Sequence, residues 1–350
     1  MRKNFIVVLT GVVIGLVSLA LVQFGNPANM GFCLACFLRD GAGACGLHAA
    51  GTVQYMRPEI AGLALGAFVI SLLFREFRPR GGSSPFTRLA IGFFVMIGAL
   101  MFLGCPLRML LRIGGGDLNA LVGLAGFAGG VGVGVFALHK GFSLRRAYAQ
   151  PKAEGVLFPA GVAALLALSL LAPSLFAASQ SGPGSMRAPL LISLAGGLVV
   201  GALAQRSRFC MAGGLRDSMI FRDPHLLWGS LALVATVLAG NLLLGKFNLG
   251  FDGQPVAHTD GLWNFLGMAL VGWGSVLLGG CPLRQLIMTG EGDGDAAMAV
   301  VGMVLGAAFC HNFGLASSAA GPTTAGRIAV AAGFVLLGVL SWVNLSKEGR

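Results

Sequence analysis

Two duplicated motifs, each joining cysteine to arginine, hold the residues of this chain best suited to chemistry. The run Phe32-Cys33-Leu34-Ala35-Cys36-Phe37-Leu38-Arg39-Asp40 and the run Phe209-Cys210-Met211-Ala212-Gly213-Gly214-Leu215-Arg216-Asp217 share the pattern F-C-x-A-x-x-L-R-D at an offset of 177. Gly104-Cys105-Pro106-Leu107-Arg108, followed by Gly114, Gly116 and Asp117, matches Gly280-Cys281-Pro282-Leu283-Arg284, Gly290, Gly292 and Asp293 at an offset of 176. A proline directly after cysteine reads as the first residue of a helix, because its fixed φ suits that position and its missing N–H costs nothing there. Cys105 and Cys281 then fall at N-caps, where free backbone N–H groups and the positive helix end favour an anion and an ionised thiol. Arg108 and Arg284 add a cation one turn on.

Each of these residues has a plainer reading. A lone cysteine in a membrane is ordinarily a small inert apolar residue, but retention of Cys with Arg in all four motif copies argues for contact with a transported species. Arg39 with Asp40 and Arg216 with Asp217 read first as ion pairs that close loops and second as ligand contacts. Asp117 and Asp293 follow glycines and read as caps of the next helix. Cys33-x-x-Cys36 followed by Cys45-x-x-His48 has metal-ligand spacing, and Cys-x-x-Cys alone can be redox-active. The second copy argues against metal: Gly213 and Arg222 replace Cys36 and Cys45, although His225 matches His48. Cys310-His311 reads as packing rather than a nucleophile pair, and no cofactor is called for.

The elements that must hold these motifs are membrane helices. Of 350 residues, 56% are apolar and only 11% charged, with mean hydropathy +0.83, which excludes an ordinary soluble globule. A net charge of +11 does not point to nucleic acid, since the 24 Lys and Arg are spread thinly between long apolar runs. Seven cysteines, an odd and scattered number, predict free thiols. Apolar stretches near residues 4–24, 59–75, 86–104, 118–138, 156–178, 187–205, 226–245, 262–280, 296–316 and 328–345 approach the ~20 residues a bilayer core requires. The first could pass for a signal peptide. However, Gly15-Leu16-Val17 and Gln23 match Gly197-Leu198-Val199 and Gln205, which makes it part of the duplication.

Five spans per copy is odd, so the second copy enters the membrane upside down. With a cytoplasmic N-terminus, Arg2, Lys3, Arg75, Arg78, Arg80, Arg88, Lys140, Arg145, Arg146, Lys152, Lys347 and Arg350 lie inside, against Arg187, Lys246 and Arg327 in the outer loops that carry no motif. That is a positive-inside distribution with both termini cytoplasmic. The expectation is an all-α polytopic membrane protein, an inverted repeat of two five-span halves, residues 1–180 and 181–350. Short helical loops, starting at the Cys-Pro motifs, re-enter from opposite faces and meet near the midplane. The glycines at 114–116 and at 290 and 292 would let the chain turn back, and the Gly-rich stretch 129–134 would allow close helix packing.

With these motifs in hand, the chain resembles the YeeE/YedE sulfur-transport family over nearly its full length, and Arg206-Ser207-Arg208-Phe209-Cys210 through Asp217 is similar to the selenium-linked YedE branch. The resemblance implies an hourglass-shaped inverted repeat in the bacterial inner membrane. It also implies uptake of a small inorganic sulfur or selenium anion, thiosulfate among them, passed along pore thiols by S–H to sulfur hydrogen bonds. Carried over by motif, that implicates Cys33 or Cys36, then Cys105 and Cys281; the expected pathway runs from Cys33 and Cys36 past Cys105 to Cys281 and Cys210, with Arg39, Arg108, Arg216 and Arg284 beside it. A cytoplasmic sulfur-carrier protein is the implied soluble partner. Extra thiols at Cys36, Cys45 and Cys210 depart from the family pattern and open the way to a selenium substrate. A membrane enzyme relaying sulfur through covalent thiol chemistry and a passive anion channel are the competing readings.

Overall fold

A computed structural model describes residues 2–345; Lys347 and Arg350 of the charge argument lie outside the described residues, and of Arg2 and Lys3 only the backbone is described. Helices dominate. The first part of the chain forms α1 (Arg2–Gln23), α2 (Leu34–Ala44), α3 (Pro58–Leu73), α4 (Pro85–Phe102), α5 (Pro106–Gly114), α6 (Leu118–His139) and α7 (Lys152–Leu171). The second forms α8 (Leu190–Ser207), α9 (Met211–Phe221), α10 (His225–Leu243), α11 (Gly261–Leu278), α12 (Pro282–Gly290), α13 (Gly294–Asn312) and α14 (Thr324–Val343). A small antiparallel pair joins β1 (Arg80–Gly81) to β2 (Tyr148–Ala149). Among the described residues, nine helical stretches of 19 to 32 residues are long and apolar enough to cross a bilayer, which makes this a multi-pass membrane protein.

All ten expected spans are helices, with two corrections. The second, expected over 59–75, is α3 with 16 residues, below the length of the other nine. The fifth, expected over 156–178, stops at Leu171, because Ala172-Pro173 breaks the helix and a single 3₁₀ turn follows at Pro173–Leu175. The helices begin where local chemistry dictates. Prolines occupy the first positions of α3, α4, α5 and α12, and the carboxylates of Asp117, Asp260 and Asp293 cap α6, α11 and α13. The two aspartates following the motif glycines are therefore caps, as expected. Gly116 (φ +95°) and Gly292 (φ +86°) supply the left-handed residue that turns the chain out of α5 and α12.

Packing interleaves the two parts of the chain. α6 lies on α11 and α4 on α13, while α3 lies on α8 and α1 on α10. Only α7 and α14 dock differently, α7 beside α3 and α12, α14 beside α4 and α11. The close crossings depend on glycine, as the Gly-rich stretch suggests. A Cβ on Gly130 of α6 would stand 1.9 Å from the Ala269 carbonyl oxygen of α11, and one on Gly126 would stand 2.1 Å from that of Phe265. Gly130→Ala is expected to destabilise the protein by about 1–3 kcal/mol, read as a lowered thermal midpoint in detergent. Gly132→Ala is its control: a Cβ there meets nothing within 4 Å, and the midpoint should hold. Outward faces carry large exposed apolar side chains such as Leu171, Leu243 and Phe86, the surface a bilayer would cover.

Candidate functional site: paired thiols at helix starts

The four short helices share one device. Cys33, Cys105, Cys210 and Cys281 are the N-caps of α2, α5, α9 and α12, all with extended backbone, and all are buried. For Cys105 and Cys281 the Pro at N1 foretells this. For Cys33 and Cys210 the caps went unread, because sulfur is a weak acceptor outside the usual capping set. Cys33 Sγ accepts from the Cys36 amide at 3.4 Å, and Cys210 Sγ from the Gly213 amide at 3.2 Å.

The caps come in two pairs. Cys105 Sγ accepts from the Leu34 amide, in the first turn of α2, at 3.3 Å, and the Cys33 and Cys105 side chains are within hydrogen-bond reach. In the other pair Cys210 Sγ accepts from the Cys281 amide at 3.4 Å, and those two thiols also meet. Each pair therefore brings two helix N-termini to two sulfur atoms. Such a place favours negative charge, or a polarizable atom carrying it, since the amides and both helix dipoles point the same way. All seven cysteines are free thiols.

An arginine stands over each pair. The stems of Arg108 and Arg284 fold back across the glycine that precedes the capping cysteine. A Cβ on Gly104 would lie 2.9 Å from Arg108 Cδ, and one on Gly280 would lie 2.8 Å from Arg284 Cγ. This close approach explains glycine in Gly-Cys-Pro-Leu-Arg. Arg108 is fully buried and donates to the carbonyls of Asn29, Leu103, Pro255 and Val256, and through Nη1 to Cys36 Sγ at 3.7 Å. No carboxylate among the described residues pairs with it. Arg284 instead pairs with Glu291 at 2.8 Å.

Arg39 and Arg216 are engaged elsewhere, as ion pairs with their neighbouring aspartates. Arg39 binds Asp40 Oδ1 through Nε and Nη2 at 2.9 and 2.7 Å, and Asp40 Oδ2 accepts from Arg57 at 2.8 Å. Arg216 pairs with Asp217 at 2.8 Å and is partly exposed. Three charged residues of this region escaped the sequence reading: Arg57, Arg112, which is buried against Asp117 at 2.6 Å, and Glu291. Comparison of the two copies would have found Glu291, since Gly115 occupies its place in the first.

The metal-like spacing does not assemble. Cys36 faces Arg108, Cys45 is exposed at the end of α2, and His48 hydrogen-bonds the Arg39 carbonyl at 3.0 Å. Among the described residues no three His, Cys, Asp or Glu side chains gather around a point fit for a metal ion. Cys310 is buried, and the ring of His311 lies 4.8 Å from that of His48.

Residues 206–345 match the family model described as sulphur transport, a stretch that contains the Cys210 and Cys281 motifs. The chain is also 29% identical over 107 residues to the thiosulfate transporter TsuA of Escherichia coli (strain K12). That similarity spans 29% of this chain and 29% of the relative. The second part of the chain is thus similar to the sulphur-transport family, and the first part repeats the motifs that carry that similarity.

Proposed function

We propose that this protein imports a small sulfur-containing anion across the bacterial inner membrane, along a pathway lined by Cys33, Cys36, Cys105, Cys210 and Cys281. The observation that carries the reading is the pairing of capping thiols, Cys33 with Cys105 and Cys210 with Cys281, each at two converging helix N-termini with an arginine folded over them. An anion such as thiosulfate has oxygens for the amides and guanidinium and a soft terminal sulfur for the thiols. The likeness to a thiosulfate transporter favours that substrate class. Selenium oxyanions and selenide offer the same combination of charge and polarizability. In this reading residues 1–180 and 181–350 are inverted repeats, both termini are cytoplasmic, one thiol pair serves each face, and a cytoplasmic sulfur-carrier protein receives the product. The thiols donate hydrogen bonds and are not consumed, so the protein is a transporter and not an enzyme.

The test is uptake of labelled thiosulfate into proteoliposomes, with selenite, selenide and sulfate as competitors. The Cys105→Ala, Cys281→Ala double variant should lose at least about tenfold in initial rate, since each substitution removes a buried hydrogen-bond donor of roughly 1 kcal/mol. Uptake that survives in the double variant would overturn the pathway. Sulfur or selenium found covalently bound to these thiols by mass spectrometry would favour the relay enzyme instead, and flux that does not saturate would favour a channel.

A further inference from the structure

The two arginines of the duplicated Gly-Cys-Pro-Leu-Arg motif differ in one respect that lies outside the motif itself. Both occupy the third position of a short helix, where the positive helix end opposes a cation and makes a counter-anion valuable. Arg108 has only neutral partners. Arg284 has Glu291, whose Oε1 lies 2.8 Å from Nη2. The difference is one residue. Glu291 follows α12 at its C-cap, and the equivalent position after α5 is Gly115, where a Cβ would stand 2.5 Å from Asn29 Oδ1. An acid at a helix C-terminus is itself disfavoured by the dipole, so its neighbours must hold Glu291 there.

Those neighbours reach from the buried arginine to the surface. Arg208 Nη1 donates to both Glu291 oxygens at 3.1 Å, and Arg80 stands 3.7 Å from Oε2 while binding Asp293 at 2.7 Å. Arg208 and Arg206 further bind Glu76, at 3.4 and 2.5 Å. Burial alone would raise the Glu76 carboxyl, but hydrogen bonds from Gln205 and Arg206 and the two arginine charges hold it below the usual carboxylate range. Glu291 is buried, and Arg208 and Arg80 already hold it alongside Arg284. Arg284, 8% exposed, keeps a buried Nη1 with no acceptor among the described residues.

We infer that Glu291 is a resident stand-in for the transported anion: it occupies Arg284 when the Cys210–Cys281 pair is empty, and an arriving anion displaces it from Arg284, leaving it held by Arg208 and Arg80. The inference rests on the transport reading above. It makes the two thiol pairs unequal, with a standing anion site at Arg108 and a competed, weakly holding site at Arg284. Such a gradient lets an anion leave from the Arg284 side without being trapped there. Glu291 is thus a residue that sets affinity and release and does not itself need to touch the substrate.

The test uses full-length protein. In detergent, Glu291→Gln should gain thermal stabilisation by thiosulfate at about tenfold lower concentration than the unaltered protein, the effect of removing one competing charge. In proteoliposomes its half-saturation for thiosulfate and its maximal rate should both fall, whereas a merely structural role would lower the rate alone. Arg208→Gln, at a half-exposed position, should do the reverse and raise the half-saturation, because Glu291 then has less to hold it away from Arg284. Shifts of the same sign in both variants, or half-saturation unchanged in both, would overturn the inference. If the unaltered protein neither binds nor transports thiosulfate, the transport reading fails for that anion. The same melts with sulfite, selenite and sulfate then decide the inference, which is lost if none stabilises Glu291→Gln at lower concentration than the unaltered protein.

Discussion

Under the proposed transport function, Arg108→Gln should reduce sulfur-anion uptake about a hundredfold while leaving the helices assembled. The buried guanidinium gives its hydrogen bonds to carbonyl oxygens and to one sulfur, so its charge stays uncompensated by any described carboxylate. A cation in that setting is costly unless an anion visits it. Two charge-assisted hydrogen bonds to an anion, at roughly 1.5 kcal/mol each, correspond to about a hundredfold in occupancy. Glutamine keeps a donor for one of the carbonyls, and gel filtration with a thermal melt checks that the variant is folded. Arg108→Lys retains the charge but not the fork of donors, and should fall between the two. Initial rates equal to the unaltered protein in Arg108→Gln would remove Arg108 from the pathway.

Asp40→Ala is expected to be the most destabilising single change at the motifs, by about 3–5 kcal/mol. Asp40 is fully buried and neutralises two buried arginines at once, Arg39 through one oxygen and Arg57 through the other. Arg57 in turn donates to the carbonyls of Pro183 and Met186, so the carboxylate ties α2 and α3 to the segment before α8. Without it two guanidiniums remain in a dry interior. The equivalent change in the second copy, Asp217→Ala, should cost under about 1 kcal/mol, because Arg216 and Asp217 are 28% and 24% exposed and water can replace either partner. Thermal or denaturant unfolding of the two variants side by side reads the difference directly. Equal losses would mean that Asp40 is not a buried keystone charge.

The contrast between these two aspartates also marks where sequence reasoning reaches its limit. The motif F-C-x-A-x-x-L-R-D is the same in both copies, and the local pair Arg-Asp forms in both. Nothing local distinguishes them, because the deciding partner, Arg57, lies 17 residues away, just before the next helix, α3. Caps fixed by proline or aspartate were legible at Cys105, Cys281, Asp117 and Asp293, since those rules act within one turn. The close helix crossing at Gly130 was legible from the Gly-rich stretch 129–134, whereas the one at Gly126 lies outside that stretch. The pairing of Cys33 with Cys105 was not, for it joins the starts of two separate helices 72 residues apart in sequence. The early stop of α7 escaped for a different reason: hydropathy continues through Ala172-Pro173 although the helix does not.

The interleaving of helices has a consequence for how the chain is made. α1 and α3 find their main neighbours in α10 and α8, and α4 and α6 in α13 and α11. The glycine-lined faces that α3, α4 and α6 expose at first have no counterpart until the second part of the chain is synthesised. The early helices must therefore wait in the bilayer as loosely associated segments, and assembly completes only near the end of translation, with the sequence-distant contacts that slow folding. The same geometry implies that a chain cut between α7 and α8 leaves two fragments with complementary faces, which should reconstitute when produced together and be degraded when produced apart.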